Sequence, residues 1–122
     1  MKRVHDIKRA QKASLLLRTI STLFSKAVQD DAQLNGTMIN RVELAPDKST
    51  CYVYFYTPLG EDEFSQKLLP RLILYKPSLR AALAREVRGR YTPELVFKFD
   101  QTFEKSMRID TILSELKEKG EF

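Results

Sequence analysis

A single cysteine, Cys51, excludes an internal disulfide and any cysteine-based zinc site. Histidine is as scarce. His5 stands alone near the N-terminus beside Asp6. A His-Asp pair can do base chemistry, but no Ser or Cys nucleophile has an evident relation to it, and the pair reads as an exposed helix start. Only four glycines occur, and none belongs to a phosphate-cradling loop of the Walker or dinucleotide kind. No apolar stretch approaches the roughly 20 residues that a bilayer requires, Leu15-Leu16-Leu17 being far too short, and no stretch has the pattern of a secretory h-region. Internal repeats, low-complexity tracts and linker compositions are also missing. These absences leave no catalytic constellation, no metal site, no cofactor, no small-molecule substrate and no membrane partner to be expected. They point to a cytoplasmic, non-enzymatic protein.

What is present is charge, unevenly placed. The 122 residues carry a net +5, with 43% apolar and 30% charged residues, a composition ordinary for one globular domain with a single two-layer core. Residues 1–29 hold seven Lys/Arg against Asp6 alone, and residues 66–90 hold seven against Glu86 alone, a net of +6 in each block. Residues 30–65 carry a net −5 and residues 91–122 a net −2. The first block resembles an organellar presequence in composition but reads as a structural first helix. Both basic blocks fall on predicted helices, so a polyanion can be gripped by those helices while the acidic hairpin and tail stay clear. Solvated helix faces are the plain alternative.

Periodicity supplies the elements. Leu16, Ile20, Leu23, Phe24, Ala27 and Val28 lie at helical spacing, which predicts a first helix from about Asp6 to about Gln29. Thr37 to Leu44 and Thr50 to Tyr56 read as an antiparallel hairpin around Ala45-Pro46-Asp47-Lys48-Ser49, where Pro46 presets φ and Asp47 can bond its local backbone. Glu61-Asp62-Glu63 could recruit a cation, but adjacent carboxylates on the first turn of a second helix more often serve the macrodipole, which favours acids there. Phe64, Leu68, Leu72 and Tyr75 mark its buried face, and Pro70 predicts a kink. Pro77 predicts a break, after which a third helix carries Leu79, Ala82, Leu83 and Val87 inward and is capped by Gly89. Leu95, Phe97 and Phe99 then alternate with Glu94, Val96 and Lys98, the signature of a half-buried strand, with Pro93 tolerable at its start. A last helix is expected from about Phe103 to Lys119.

The order α-β-β-α-α-β-α predicts an α+β sandwich in which a crossover through two helices brings the third strand back parallel to a neighbour. Helices cover one face of a three-stranded mixed sheet. On the second strand, Cys51, Val53 and Phe55 share one face, and Tyr52, Tyr54 and Tyr56 share the other. If the cysteine set packs inward, the tyrosines form an outer stripe, suited either to stacking bases or to cross-strand packing. The predicted bend Tyr75-Lys76-Pro77 matters more, because a helix N-terminus offers free N–H groups to a phosphate, with Lys76, Arg80 and Arg71 close by.

That bend, its helix pair and the strand after it resemble a type II KH domain, a nucleic-acid-binding fold. The run Pro93-Glu94-Leu95-x-Phe97-x-x-Asp100, followed by Met107-Arg108-Ile109 and Leu113, is similar to the pattern of the bacterial ribosome-binding factor A family. The likeness covers about residues 6–116 of a single domain spanning 1–122. In the family a small-residue Ala/Ser-x-Gly kink stands where this chain has Tyr75-Lys76-Pro77, and a glycine stands at Ser106. The family's long charged C-terminal tail is nearly absent.

The resemblance implies a non-enzymatic, monomeric RNA-binding factor. Its partners would be the immature small ribosomal subunit and its rRNA. It would act late in maturation and rRNA processing and assist growth in the cold. RNA contacts are expected at Lys67, Arg71, Lys76, Arg80, Arg85, Arg88 and Arg90, assisted by Lys8, Arg9 and Lys12. Arg108 is either a second contact or an ion-pair partner. A protein-interaction module using the exposed sheet face is the rival reading.

Overall fold

The computed structural model describes residues 4–87 and 91–120, with His5 described by its backbone alone. Helix α1 spans Val4–Gln29, followed by a short 3-10 turn, Ala32–Leu34. Strands β1, Met38–Leu44, and β2, Thr50–Tyr56, form the hairpin. A continuous helical run comprises α2, Glu61–Glu63, a π-turn, Phe64–Leu68, and α3, Leu69–Glu86. Strand β3, Glu94–Phe99, and helix α4, Gln101–Glu118, complete the chain.

The sheet order is β1-β2-β3, antiparallel then parallel, with Val53 opposite Val42 on one side and Phe97 on the other. At the hairpin turn the Asp47 carboxylate accepts from the Ser49 backbone N–H and hydroxyl. Gly60, at φ 95° and ψ 175°, opens the helical run in a backbone region essentially restricted to glycine. The period-two reading holds through β2 and β3. Cys51, Val53, Phe55, Leu95, Phe97 and Phe99 are all buried beneath α1 and α3, and Tyr52, Tyr54 and Tyr56 lie on the opposite face. Phe55 is the centre of this core, its ring 5.4 Å from Phe24, 5.9 Å from Phe64 and 5.2 Å from Phe97.

One expectation is corrected. Tyr75-Lys76-Pro77 is not a helix break, because α3 runs unbroken from Leu69 to Glu86 with Pro77 inside it. The irregularity falls earlier, in the π-turn Phe64–Leu68 that precedes Pro70. Pro70 lacks the N–H that would bond the Gln66 carbonyl, and its ring would crowd that carbonyl in a regular helix. A turn widened by one residue, with the Leu69 N–H bonded back to the Phe64 carbonyl, relieves both problems. Pro77 is exposed, so its ring faces solvent, and burial of Leu72 below it and Leu79 above it keeps the helix continuous. Replacing Pro77 with alanine therefore restores a donor to the Ile73 carbonyl. Stability should rise, by up to about 3 kcal/mol on intrinsic helix propensity. A denaturation midpoint below wild type would restore the bend to this position.

Two buried carboxylates pin the layers. Asp31, 3% exposed after the end of α1, accepts from Arg71 Nε at 2.5 Å, Tyr75 Oη at 2.9 Å and the Gln33 N–H at 3.1 Å. Arg71 and Tyr75 lie one turn apart, so a single carboxylate ties the α1–β1 connection to α3. Asp100 caps α4 through the Phe103 N–H at 3.1 Å and accepts from Arg41 Nε of β1 at 3.1 Å. Beyond that cap none of the residues of α4 is buried; the Phe103 ring meets Tyr56 at 4.8 Å, and Glu104 to Glu115 border an open cleft with Tyr56, Pro58 and Gly60.

Candidate nucleic-acid interface

The expected basic residues of the helical run divide by what they touch. Lys76, Pro77 and Arg80 line one groove between α3 and the β3 side of the fold, of about 500 Å³, completed by Ala81, Ala84, Thr92 and Glu94. Ala81 and Ala84 are small, which lets the groove reach the helix backbone. Lys76 Nζ sits 5.3 Å from the centroid of the Phe97 ring, a cation–π placement that holds the ammonium at the groove rim. Arg80 is less free than its sequence position suggests. Its guanidinium donates to the Thr92 carbonyl at 3.2 Å and the Pro93 carbonyl at 3.3 Å, and pairs with Glu94 at 3.3 Å. It clasps the approach to β3 against α3 and presents only its remaining edge to the groove.

Arg71 does not join this groove, because its guanidinium is engaged by Asp31. Lys67 is 70% exposed and pairs with Glu63 one turn back at 3.3 Å, a contact too solvated to hold it from another partner. Arg85 is exposed in the last turn of α3. Arg88, Gly89 and Arg90 lie outside the described residues. On α1, Lys8 is exposed and Lys12 half-buried, and Arg9 lies near Glu43 and Leu44 of β1 and within 3.9 Å of Asp6. Since α1 packs over β1 and α3 over β3, the two basic sets sit above opposite edges of the sheet. Arg108 is 71% exposed and bonds Glu104 at 3.2 Å.

Sequence reasoning missed the cations of the outer sheet face. Arg41 lies 3.8 Å above the Tyr54 ring and Lys98 lies 4.9 Å above Tyr52. The signal was present in register: Arg41 is directly opposite Tyr54 across the hairpin, and Lys98 is opposite Tyr54 across the parallel pair. The stripe is therefore not bare, since two of its three tyrosines already carry a cation. Arg41 also bonds Glu43, whose carboxylate accepts from Tyr54 Oη at 3.3 Å.

The electrostatics of these groups are those of anchored pairs rather than of a reaction centre. Burial alone would raise the Asp31 carboxyl, but the bonds from Arg71, Tyr75 and the Gln33 N–H outweigh it and hold the group below the usual carboxylate range. Asp100 follows the same pattern, burial being outweighed by Arg41, the Phe103 N–H and Asn40. The bond to Asp31 in turn pushes the Tyr75 phenol up, and burial raises the Cys51 thiol to about 11, leaving it protonated and inert. Among the described residues no cluster of His, Cys, Asp or Glu could hold a metal ion, and no helix is long and apolar enough to cross a membrane.

Known proteins are similar to this chain in sequence and in fold. A family model described as ribosome-binding factor A matches residues 8–113. Ribosome-binding factor A of Lachnoclostridium phytofermentans is 36% identical over 115 residues, covering 93% of this chain and 83% of that protein. Its counterpart in Mycoplasmopsis pulmonis is 32% identical over 116 residues, covering 95% and 99%. The crystal structure of ribosome-binding factor A from Thermus thermophilus matches with a TM-score of 0.62 at 29% identity, covering 74% of this chain and 93% of that one. The match runs from the basic first helix through the groove and β3 into α4, and this chain belongs to the ribosome-binding factor A family.

Proposed function

We propose that this protein is a non-enzymatic ribosome assembly factor that binds RNA of the immature small subunit in the cytoplasm. It would act late in maturation and rRNA processing and support growth in the cold. The observation that carries the reading is the family match over residues 8–113. The relatives' name supplies ribosome binding, and the basic helices supply the chemistry with which a polyanion is held. The contact surface is centred on the Lys76–Arg80 groove and extended by Lys67 and Arg85, with Arg88 and Arg90 following in sequence. Lys8, Arg9 and Lys12 offer a second strip over the β1 edge, where a separate RNA segment can be held. Arg71 contributes through Asp31, by keeping α3 in place. The mechanism is selective binding: whichever rRNA conformation the protein prefers gains population in proportion to its differential affinity.

If about five phosphates are neutralised, counterion release gives a log–log slope of affinity against salt near −3.5 to −4.5. Titration of purified small subunits across a salt series reads this directly. A slope near zero would sink the phosphate-contact reading and favour the rival, a protein-interaction module using the face of Tyr52 and Tyr54, where Arg41 and Lys98 supply polar specificity. Crosslinked nucleotides mapping to the large subunit alone would refute the assignment of subunit.

A further inference from the structure

Helix α3 turns an uncharged crest to solvent. Pro70, Ile73, Leu74, Pro77, Ala81 and Ala84 recur at the spacing i, i+3, i+4, i+7, i+11, i+14 and are all exposed, Leu74 by 74% and Ile73 by 45%. No ionisable side chain interrupts the crest, which spans about 21 Å at 1.5 Å per residue. It exists because α3 continues through Pro77; a break there would turn Ala81 and Ala84 away from Pro70 and Leu74. Cations border it on both sides. At about 100° per residue, Lys76 and Arg80 fall on the flank toward β3, where they line the groove together with Pro77, Ala81 and Ala84. Arg85 falls on the opposite flank, in line with Ser78 and Leu74, and Lys67 of the π-turn precedes it there; neither lines the groove.

We propose that α3 lies along the minor groove of an A-form RNA duplex, its crest against the groove floor and its two cation rows on the two phosphate strands. This rests on the RNA-binding reading above and gives its ligand a class. A single strand offers one row of phosphates, which the Lys76–Arg80 groove would hold while Lys67 and Arg85 stayed out of reach behind the crest. A ridge flanked on both sides needs two rows with a trough between them. An α-helix with its side chains is about 10–12 Å across, so the B-form minor groove, about 6 Å wide, is too narrow for it. The B-form major groove admits a helix but displays base edges that an apolar crest cannot hydrogen-bond. The A-form major groove is deep and narrow, whereas its minor groove is wide and shallow and is lined by riboses. Ala81 and Ala84 let the helix backbone approach that floor, and Pro70, Leu74 and Pro77 present only C–H groups to the sugars. The pair between Lys67 and Glu63 is solvated and readily exchanged for a phosphate.

Fluorescence anisotropy of the full chain tests this with three probes of one sequence: an RNA duplex of about 16 base pairs, either of its single strands, and the matching DNA duplex. The RNA duplex should bind about tenfold tighter than the other two at the same salt. Lys76→Ala and Arg85→Ala should each reduce the log–log salt slope for the RNA duplex by about 1, and the double variant by about 2, because the two residues meet different phosphates. Leu74→Ser should weaken duplex binding several-fold with the slope unchanged, and circular dichroism should show wild-type helix content in every variant. A single strand or a DNA duplex held as tightly as the RNA duplex overturns the placement. So does an Arg85→Ala slope equal to that of wild type, or a Leu74→Ser protein that binds the duplex normally. In each of these cases salt-dependent binding to small subunits would still uphold the RNA-binding reading, and its absence would sink both. If Leu74→Ser binds the duplex normally but small subunits poorly, a protein of the particle covers the crest instead.

Discussion

Phe55→Ala should lower the free energy of unfolding by about 3–5 kcal/mol, the usual cost of emptying a buried phenylalanine site. Such a loss is a large part of the roughly 5–15 kcal/mol that holds a domain of this kind together. Phe55 is 1% exposed, and its ring meets rings from three other elements: Phe24 of α1, Phe64 of the π-turn and Phe97 of β3. These neighbours sit on different layers, so they cannot close a cavity by a common shift. Phe97→Ala should cost less within the same range, because Phe97 is 7% exposed and lies on an edge strand beneath the Lys76 stem. Urea unfolding of both variants decides the order. A Phe55→Ala loss below about 1 kcal/mol would mean that the core is not organised around β2.

Asp100→Ala should cost about 2–3 kcal/mol, the sum of a lost helix cap near 1 kcal/mol and a charge-assisted bond to Arg41 taken at the low end of its range. The low end applies because Arg41 is 38% exposed and is partly solvated even when paired. Asparagine at this position retains a capping oxygen but not the charge, which isolates the titrating component. Asp31 and Asp100 both have carboxyls held below their ordinary value in the folded protein. A group of this kind contributes its full stabilisation above the unfolded-state pKa of about 3.9 and loses it as pH falls through the lower folded value. Wild-type stability should therefore be flat from pH 7 towards 5 and fall steeply below about 4. Asp100→Asn should be less stable at neutral pH and show a shallower acid limb. An acid limb identical to that of wild type would show that Arg41 does not stabilise the Asp100 charge.

Local pattern determined much of this protein. The alternation in Glu94 to Phe99 assigned every inward side chain of β3 correctly, and that in Thr50 to Tyr56 separated Cys51, Val53 and Phe55 from the tyrosines without deciding which set packs inward, because a strand's period of two leaves only two choices of face. Helical spacing likewise marked Leu16, Ile20 and Phe24 on α1 and Leu79, Ala82 and Leu83 on α3. The family was legible from β3 and the start of α4. Proline was not decided locally. Pro77 in isolation favours a break, but burial on both sides of it holds the helix together, and the irregularity of the helical run is the π-turn that accommodates Pro70. The employment of the arginines was not legible either. Arg71, Arg80 and Arg108 look alike along the chain, yet Arg71 meets an aspartate 40 residues away, Arg80 meets two carbonyls of a turn, and Arg108 stays in solvent. Sequence determines that a cation is there. Which anion or carbonyl comes within about 3 Å of it depends on how distant segments pack, and a hydrogen bond of that length is set only when the layers close.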